Sequence, residues 1–255
     1  MDLAELGIRW IHIVAGVVWI GLLYFFNFVN ANFAPTMDGD TKKKVVPQLM
    51  PRALFFFRWG AAWTWVTGLL LLFMIYYNNR RGNLLDEQTQ VAAMSWLPAF
   101  LGLFVGFLIY DLLFKALAKQ HSVAVALWAL VTIGYAAALL EVFGFSPRAM
   151  YIHVGAFFGT TMAANVWMRI WPAQRRIITA VKEGRAPDAA DPALAGLRSK
   201  HNTYMSVPLL LMMLVPDQVG KIADIPYLAL LPAILVLAFG ATWWLFAKSK
   251  QVAGF

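Results

Sequence analysis

His12 sits in the segment Arg9-Trp-Ile-His-Ile-Val-Ala-Gly16, just inside the first long apolar run of a 255-residue chain. Imidazole is costly to bury in hydrocarbon unless something binds it. Three further histidines, His121, His153 and His201, lie at or near the starts of other apolar runs. Cysteine is absent, which excludes thiolate metal sites, iron–sulfur clusters and covalently attached c-type haem within these residues. A redox cofactor here would have to be held by His, Met or other ligands. Two imidazoles at equal depth on facing helices are what axial ligation of a haem iron needs. The alternative reading is an interfacial histidine hydrogen-bonded to a neighbour or to water.

The elements that carry these residues are membrane helices. The chain is 61% hydrophobic and only 13% charged, with mean hydropathy +0.65. A soluble domain is nearer half apolar and a quarter charged. Seven spans are expected, at 8–33, 54–77, 93–115, 123–143, 149–171, 200–216 and 226–247. Each approaches the length that a hydrocarbon core of about 30 Å requires. The sixth is the weakest, reaching spanning length only if its helix starts near Lys200. The two longer connections are 34–53 and 172–199, the second containing a surface helix over 174–184 that ends at Gly184. The fold expected is an all-α integral membrane bundle, one domain over 1–255. The first run lacks a clear cleavage site and reads as a retained span.

Charge sets the expected orientation. Sixteen of the 21 Lys and Arg residues fall on the side that carries 34–58, 115–120, 169–200 and the C-terminus. The positive-inside rule then places the N-terminus outside and the C-terminus in the cytoplasm. The net charge of +8 is thereby explained by membrane topology, and no nucleic-acid partner is expected.

With that topology, His12 and His153 each lie roughly 6 Å below the outer boundary, at matching depth. His121 and His201 form an inner pair. Gly16, one turn from His12, and Gly155 and Gly159, near His153, would leave room for a porphyrin edge, with Trp10, Trp19, Phe157 and Phe158 along it. His201 opens the polar group His201-Asn-Thr-Tyr204 in a span that Pro208 interrupts, and Met205 is a further candidate ligand, although a Met in a Leu/Met-rich span is usually packing. Arg58 and Asp111 are candidates for an ion pair or for binding haem propionates, with snorkelling the alternative for Arg58. Thr64, Thr160 and Thr161 are expected to bond to their own helix, Asn165 to bridge to another helix, and Glu141 to be solvated.

Several stretches carry a family resemblance. They are Arg9-Trp-Ile-His12 with Gly16 and Trp19-Ile-Gly21, Thr64-Trp65 with Gly68, Tyr110-Asp111, His153-Val-Gly-Ala-Phe157, Met162-Ala-Ala-Asn-Val166, and Arg198-Ser-Lys-His-Asn-Thr-Tyr204 with Pro208. In order along nearly the whole chain, they resemble the membrane domain of the bacterial urate oxidase (urate hydroxylase) that is fused to a cytochrome c. The first span is also similar to those of bacterial haem-binding protoporphyrinogen oxidase and the copper-resistance membrane protein. The resemblance implies residence in the bacterial inner membrane and electron flow from urate through a cytochrome c to the respiratory chain. The cytochrome c domain is not expected within these residues, which contain no cysteine.

The sequence departs from that pattern at polar positions. The connection after span one lacks an aromatic–histidine cluster, Gly60 stands where an acidic residue usually follows the span-two tryptophan, and Pro216-Asp217 replaces an asparagine–histidine pair. Intramembrane histidines retained while polar substrate groups are lost point to electron transfer without urate chemistry. The expectation is a b-type haem protein with one haem, or two, in a larger redox complex. His12 and His153 would hold an outer haem, and His201, with His121 or Met205, an inner one. A cytochrome c or other membrane subunits would be its partners. The rivals are an active purine oxidoreductase using a separate cytochrome c, and a cofactor-free structural or transport subunit.

Overall fold

A computed structural model of the chain describes residues 3–78, 83–86, 96–216 and 226–252. The longer helices are α1 Leu3–Thr36, α2 Gly39–Tyr77, α3 Trp96–Ala116, α4 His121–Val142, α5 Pro147–Asn165, α6 Trp171–Lys182, α7 Ala190–Leu214 and α8 Tyr227–Ser249, with a π-helical turn at Val166–Ile170 joining α5 to α6. The described residues are 89% helical and include no named strand. Asp2, Arg80, Arg81, Asp217, Lys221 and the expected start of span three lie outside the described residues.

Five of these helices (α1, α2, α3, α4 and α8) are long and apolar enough to cross a membrane. They leave large apolar side chains exposed, among them Val17, Leu112, Val236, Leu237 and Trp243. Contiguous exposed apolar faces of this kind are stable against lipid tails and not against water. The protein is membrane-associated and meets the bilayer through these faces. The segments expected as spans five and six are helical, as α5 and α7, but are not among these five, and they carry much of the buried polarity of the described residues: His153, Thr160, Thr161, Asn165, His201, Asn202, Thr203 and Ser206. Their low hydropathy follows from this polar content.

Two expected boundaries shift. The connection over 34–53 is mostly helix, because α2 begins at Gly39. Asp38 caps it: the Thr41 amide donates to Oδ1 at 2.8 Å and the Thr41 hydroxyl to Oδ2 at 2.7 Å. The hydrogen bond donated by the Thr41 amide holds the Asp38 carboxyl below its ordinary range. Helix α7 starts at Ala190, well before Lys200, with the Ala190 amide held by Asp188 Oδ1 at 2.9 Å. The expected surface helix is present as α6, and Gly184 ends the turn beyond it at φ +70°, a conformation that suits glycine.

The chain divides into two compact units. One comprises 1–67, 162–206 and 240–255, and the other 68–161 and 207–239. In the first unit α1 and α2 approach closely at Gly60, where an added Cβ would stand 3.2 Å from the Ala15 carbonyl and from the Trp19 amide. In the second, the Gly102 and Gly106 pair accepts aromatic rings. A Cβ at Gly106 would lie 2.0 Å from Phe157, which is stacked against Trp128 and Tyr135 at centroid distances of 5.0 and 4.8 Å. Phe157 is therefore a packing residue here.

Candidate functional site

In the first unit, His12 projects from α1 and its Nδ1 lies 3.1 Å from the Thr67 hydroxyl of α2. That hydroxyl spends its one proton on the Trp63 carbonyl at 2.6 Å, so its oxygen accepts from His12. Nδ1 carries the proton and Nε2 carries the lone pair. Helix α2 positions Thr67 through the bond to its own backbone, one turn after Thr64, which likewise donates to the Gly60 carbonyl at 2.7 Å. The space beside Gly16 ends at the Thr64 side chain, 3.8 Å from where a Cβ would stand. Trp19 is buried, whereas Trp10 is exposed.

The same unit holds a buried polar network. Asn165 donates to Asn202 Oδ1 at 2.9 Å, and Asn202 donates to the Met162 carbonyl at 3.0 Å, so Asn165 makes the interhelical bridge expected of it. The Tyr24 hydroxyl lies 3.0 Å from Ser206, and Asn27 donates to Ser199 at 2.8 Å. His201 and Met205 are both buried within α7 beside this network. Arg58 lies with its guanidinium 4.0 Å over the Trp171 ring, and its backbone carbonyl accepts the Trp167 indole proton at 3.1 Å. Its Nε is buried without a hydrogen-bond partner.

In the second unit His153 is fully buried. Its Nδ1 proton goes to the Ala149 carbonyl at 2.7 Å, leaving Nε2 to accept from the Tyr77 hydroxyl, also at 2.7 Å. Tyr76, Tyr77 and Phe145 surround the imidazole, with ring centroids 4.9 to 6.2 Å away. Both nitrogens are thus engaged. Cβ atoms at Gly155 and Gly159 would meet Met213 and Leu209, so those glycines make room for side chains of α7. His121 is exposed at the first residue of α4, its ring 5.6 Å from Phe114. Asp111 pairs with Lys115 one turn on, at 2.7 Å, and Glu141 is exposed.

His12, Gly16, Arg58, His201 and Met205 thus belong to the first unit, and His121 and His153 to the second. Among the described residues no group of three or more His, Asp or Glu is placed to hold a metal ion by itself. Axial haem ligation asks for less: one imidazole lone pair per face, with the other ring nitrogen donating to a fixed acceptor. His12 meets that requirement. His153 has the right tautomer, but its lone pair is occupied by Tyr77. Thr67 and Tyr77 are the partners that sequence reading missed, because neither spacing nor hydropathy links them to a histidine on another helix.

Residues 1–252 match a family model described as the urate oxidase N-terminal domain. No curated protein and no solved structure matches the chain.

Proposed function

This chain belongs to the urate oxidase N-terminal family, and on that premise we propose that it is a membrane-embedded electron-transfer protein with His12 as an axial ligand of a b-type haem. The observation that carries the reading is the His12–Thr67 contact: with the Thr67 proton on a backbone carbonyl of its own helix, Nδ1 donates to Thr67 and Nε2 is left as the donor atom. The haem, when bound, supplies reversible one-electron transfer. The residues that would hold it are His12 through Nε2, Thr67 by orienting the ring, and Arg58 as a cation for its propionates. At His153, Tyr77 competes with any iron, because one lone pair cannot serve the hydroxyl and iron together. A second haem would draw on His201 with Met205. In this reading the N-terminus faces outside the inner membrane of a bacterium, and the electron leaves to a cytochrome c or another subunit of a membrane complex.

Gly60 supports electron transfer over urate chemistry. Where the family resemblance implies an acidic group, the backbone of α1 stands 3.2 Å from any added Cβ. That position is used for helix approach, so a carboxylate there would require the two helices to separate.

Reduced-minus-oxidised visible spectra of the purified protein test the ligand assignment. His12→Ala should remove the signal of the haem that His12 holds. An unchanged spectrum in His12→Ala refutes the assignment. Reduction of the haem by added urate would favour the purine oxidoreductase reading instead.

A further inference from the structure

A separate feature of the first unit is a cleft of about 420 Å³, within the size range of small-molecule sites. Its floor is apolar, with Met50, Leu54, Phe57 and Ile170 all buried. Its rim is polar in one sense only. Lys200 and Lys250 line it, together with the amides Asn27, Asn30, Asn32 and Gln174, and it has no Asp or Glu among its lining residues.

The hydrogen bonds show which atoms the rim has left to offer. Asn27 spends its amide protons on the Leu23 carbonyl and on Ser199, at 2.9 and 2.8 Å. Asn32 spends its own on the Phe28 carbonyl and on Ser249, at 2.9 and 3.3 Å. The remaining capacity of both is therefore the amide oxygen, an acceptor. Two ammonium groups and two amide oxygens call for a ligand that combines negative charge with hydroxyl donors.

The local backbone is shaped for this. Phe25–Asn30, which carries Asn27 and Asn30, is a π-helical turn within α1, and Val166–Ile170 is another. Such turns insert an extra residue and recur where helices build sites. The cleft also borders helix ends, with Asn32 near the end of α1 and Ser249 closing α8. A span's end lies at headgroup depth.

We propose that this cleft binds a glycerol phosphate group, its phosphate between Lys200 and Lys250 and its hydroxyls on the amide oxygens of Asn27 and Asn32. Two sources share that chemistry: the headgroup of phosphatidylglycerol and free glycerol phosphate. The apolar floor suits the lipid, whose chains continue from the headgroup onto apolar surface. The proposal does not depend on haem binding.

The test uses the full chain purified in detergent, with native mass spectrometry against phosphatidylglycerol, phosphatidic acid and phosphatidylcholine, and with free glycerol 3-phosphate as competitor. Phosphatidylglycerol should be retained over phosphatidylcholine, and the exposed pair Lys200→Gln/Lys250→Gln should lower its retention about tenfold. It should also be preferred over phosphatidic acid, which lacks the headgroup hydroxyls, and Asn32→Leu should erase that preference. Displacement by glycerol 3-phosphate would assign the site to the free compound, and its failure to displace would assign it to the lipid. Equal retention of phosphatidylglycerol and phosphatidylcholine overturns the proposal, as does unchanged binding in the double lysine variant. Displacement by urate where glycerol 3-phosphate has no effect would also overturn it.

Discussion

Nδ1 of His12 donates to the Thr67 hydroxyl at 3.1 Å, so a residue of α2 determines which nitrogen of the α1 imidazole keeps its lone pair. Thr67→Val keeps the shape of the side chain and removes the acceptor. Ligand-orienting bonds of this kind are worth about 10–100-fold in affinity. Haem titration of the variant should show weakening of that order, while its circular dichroism stays that of the parent. Unchanged haem affinity would remove Thr67 from the site.

The glycines separate packing from cofactor space. Gly106→Ala would drive a methyl group into Phe157, which Trp128 and Tyr135 hold from either side. Overpacking of that sort costs about 1–3 kcal/mol, and thermal unfolding in detergent should show a lowered midpoint. At Gly16 the nearest atom is an ordinary 3.8 Å away, so Gly16→Ala should leave the midpoint alone. If that variant nonetheless loses haem, the space beside Gly16 belongs to the ring.

Asn165 and Asn202 join α5 to α7 through a buried bond of 2.9 Å. Asn202→Leu removes it and also releases the Met162 carbonyl. Interhelical bonds in membrane proteins contribute about 0.6–1.7 kcal/mol each, and chemical unfolding in mixed micelles should report a loss in that range. An unfolding curve identical to that of the parent would show that the pair does not hold the helices together.

The Arg176–Asp191 pair gives a pH dependence with a definite sign. Arg176 Nε lies 3.0 Å from both carboxylate oxygens, and this bonding holds the Asp191 carboxyl below its ordinary value. A depressed folded-state value means the contribution is complete above the unfolded-state value of about 4 and is lost as pH falls through the folded one. The staple from α6 to the first turn of α7 should therefore be insensitive to pH between about 5 and 7 and should open in acid. Amide exchange across α6 should accelerate on acidification beyond its intrinsic rate in the parent and not in Arg176→Gln.

Much of the architecture was legible because long apolar runs specify helices without reference to anything distant. The first four spans and the last follow from that signal, as does α6 from its basic, amphipathic composition. The extension of α2 back to Gly39 was also written locally, in Asp38 and Thr41, but three lysines and two prolines obscured it. The early start of α7 was not visible in hydropathy, since its first turns hold polar residues such as Asp191 and Arg198, both buried. The site was legible only as residue types. His12 and His153 stood out as costly in a membrane, whereas Thr67 and Tyr77 acquire their roles from contacts 55 and 76 residues away in sequence. The glycine spacings signalled close approach correctly, but only the structure identifies what approaches: at Gly106 it is an aromatic ring.

The most direct measurement is a pyridine haemochrome determination on the protein purified from bacterial membranes. A b-type spectrum is expected, with one haem per chain, or two if the His201 side also binds, and one haem fewer in His12→Ala. A parent protein with haem content near zero would contradict it.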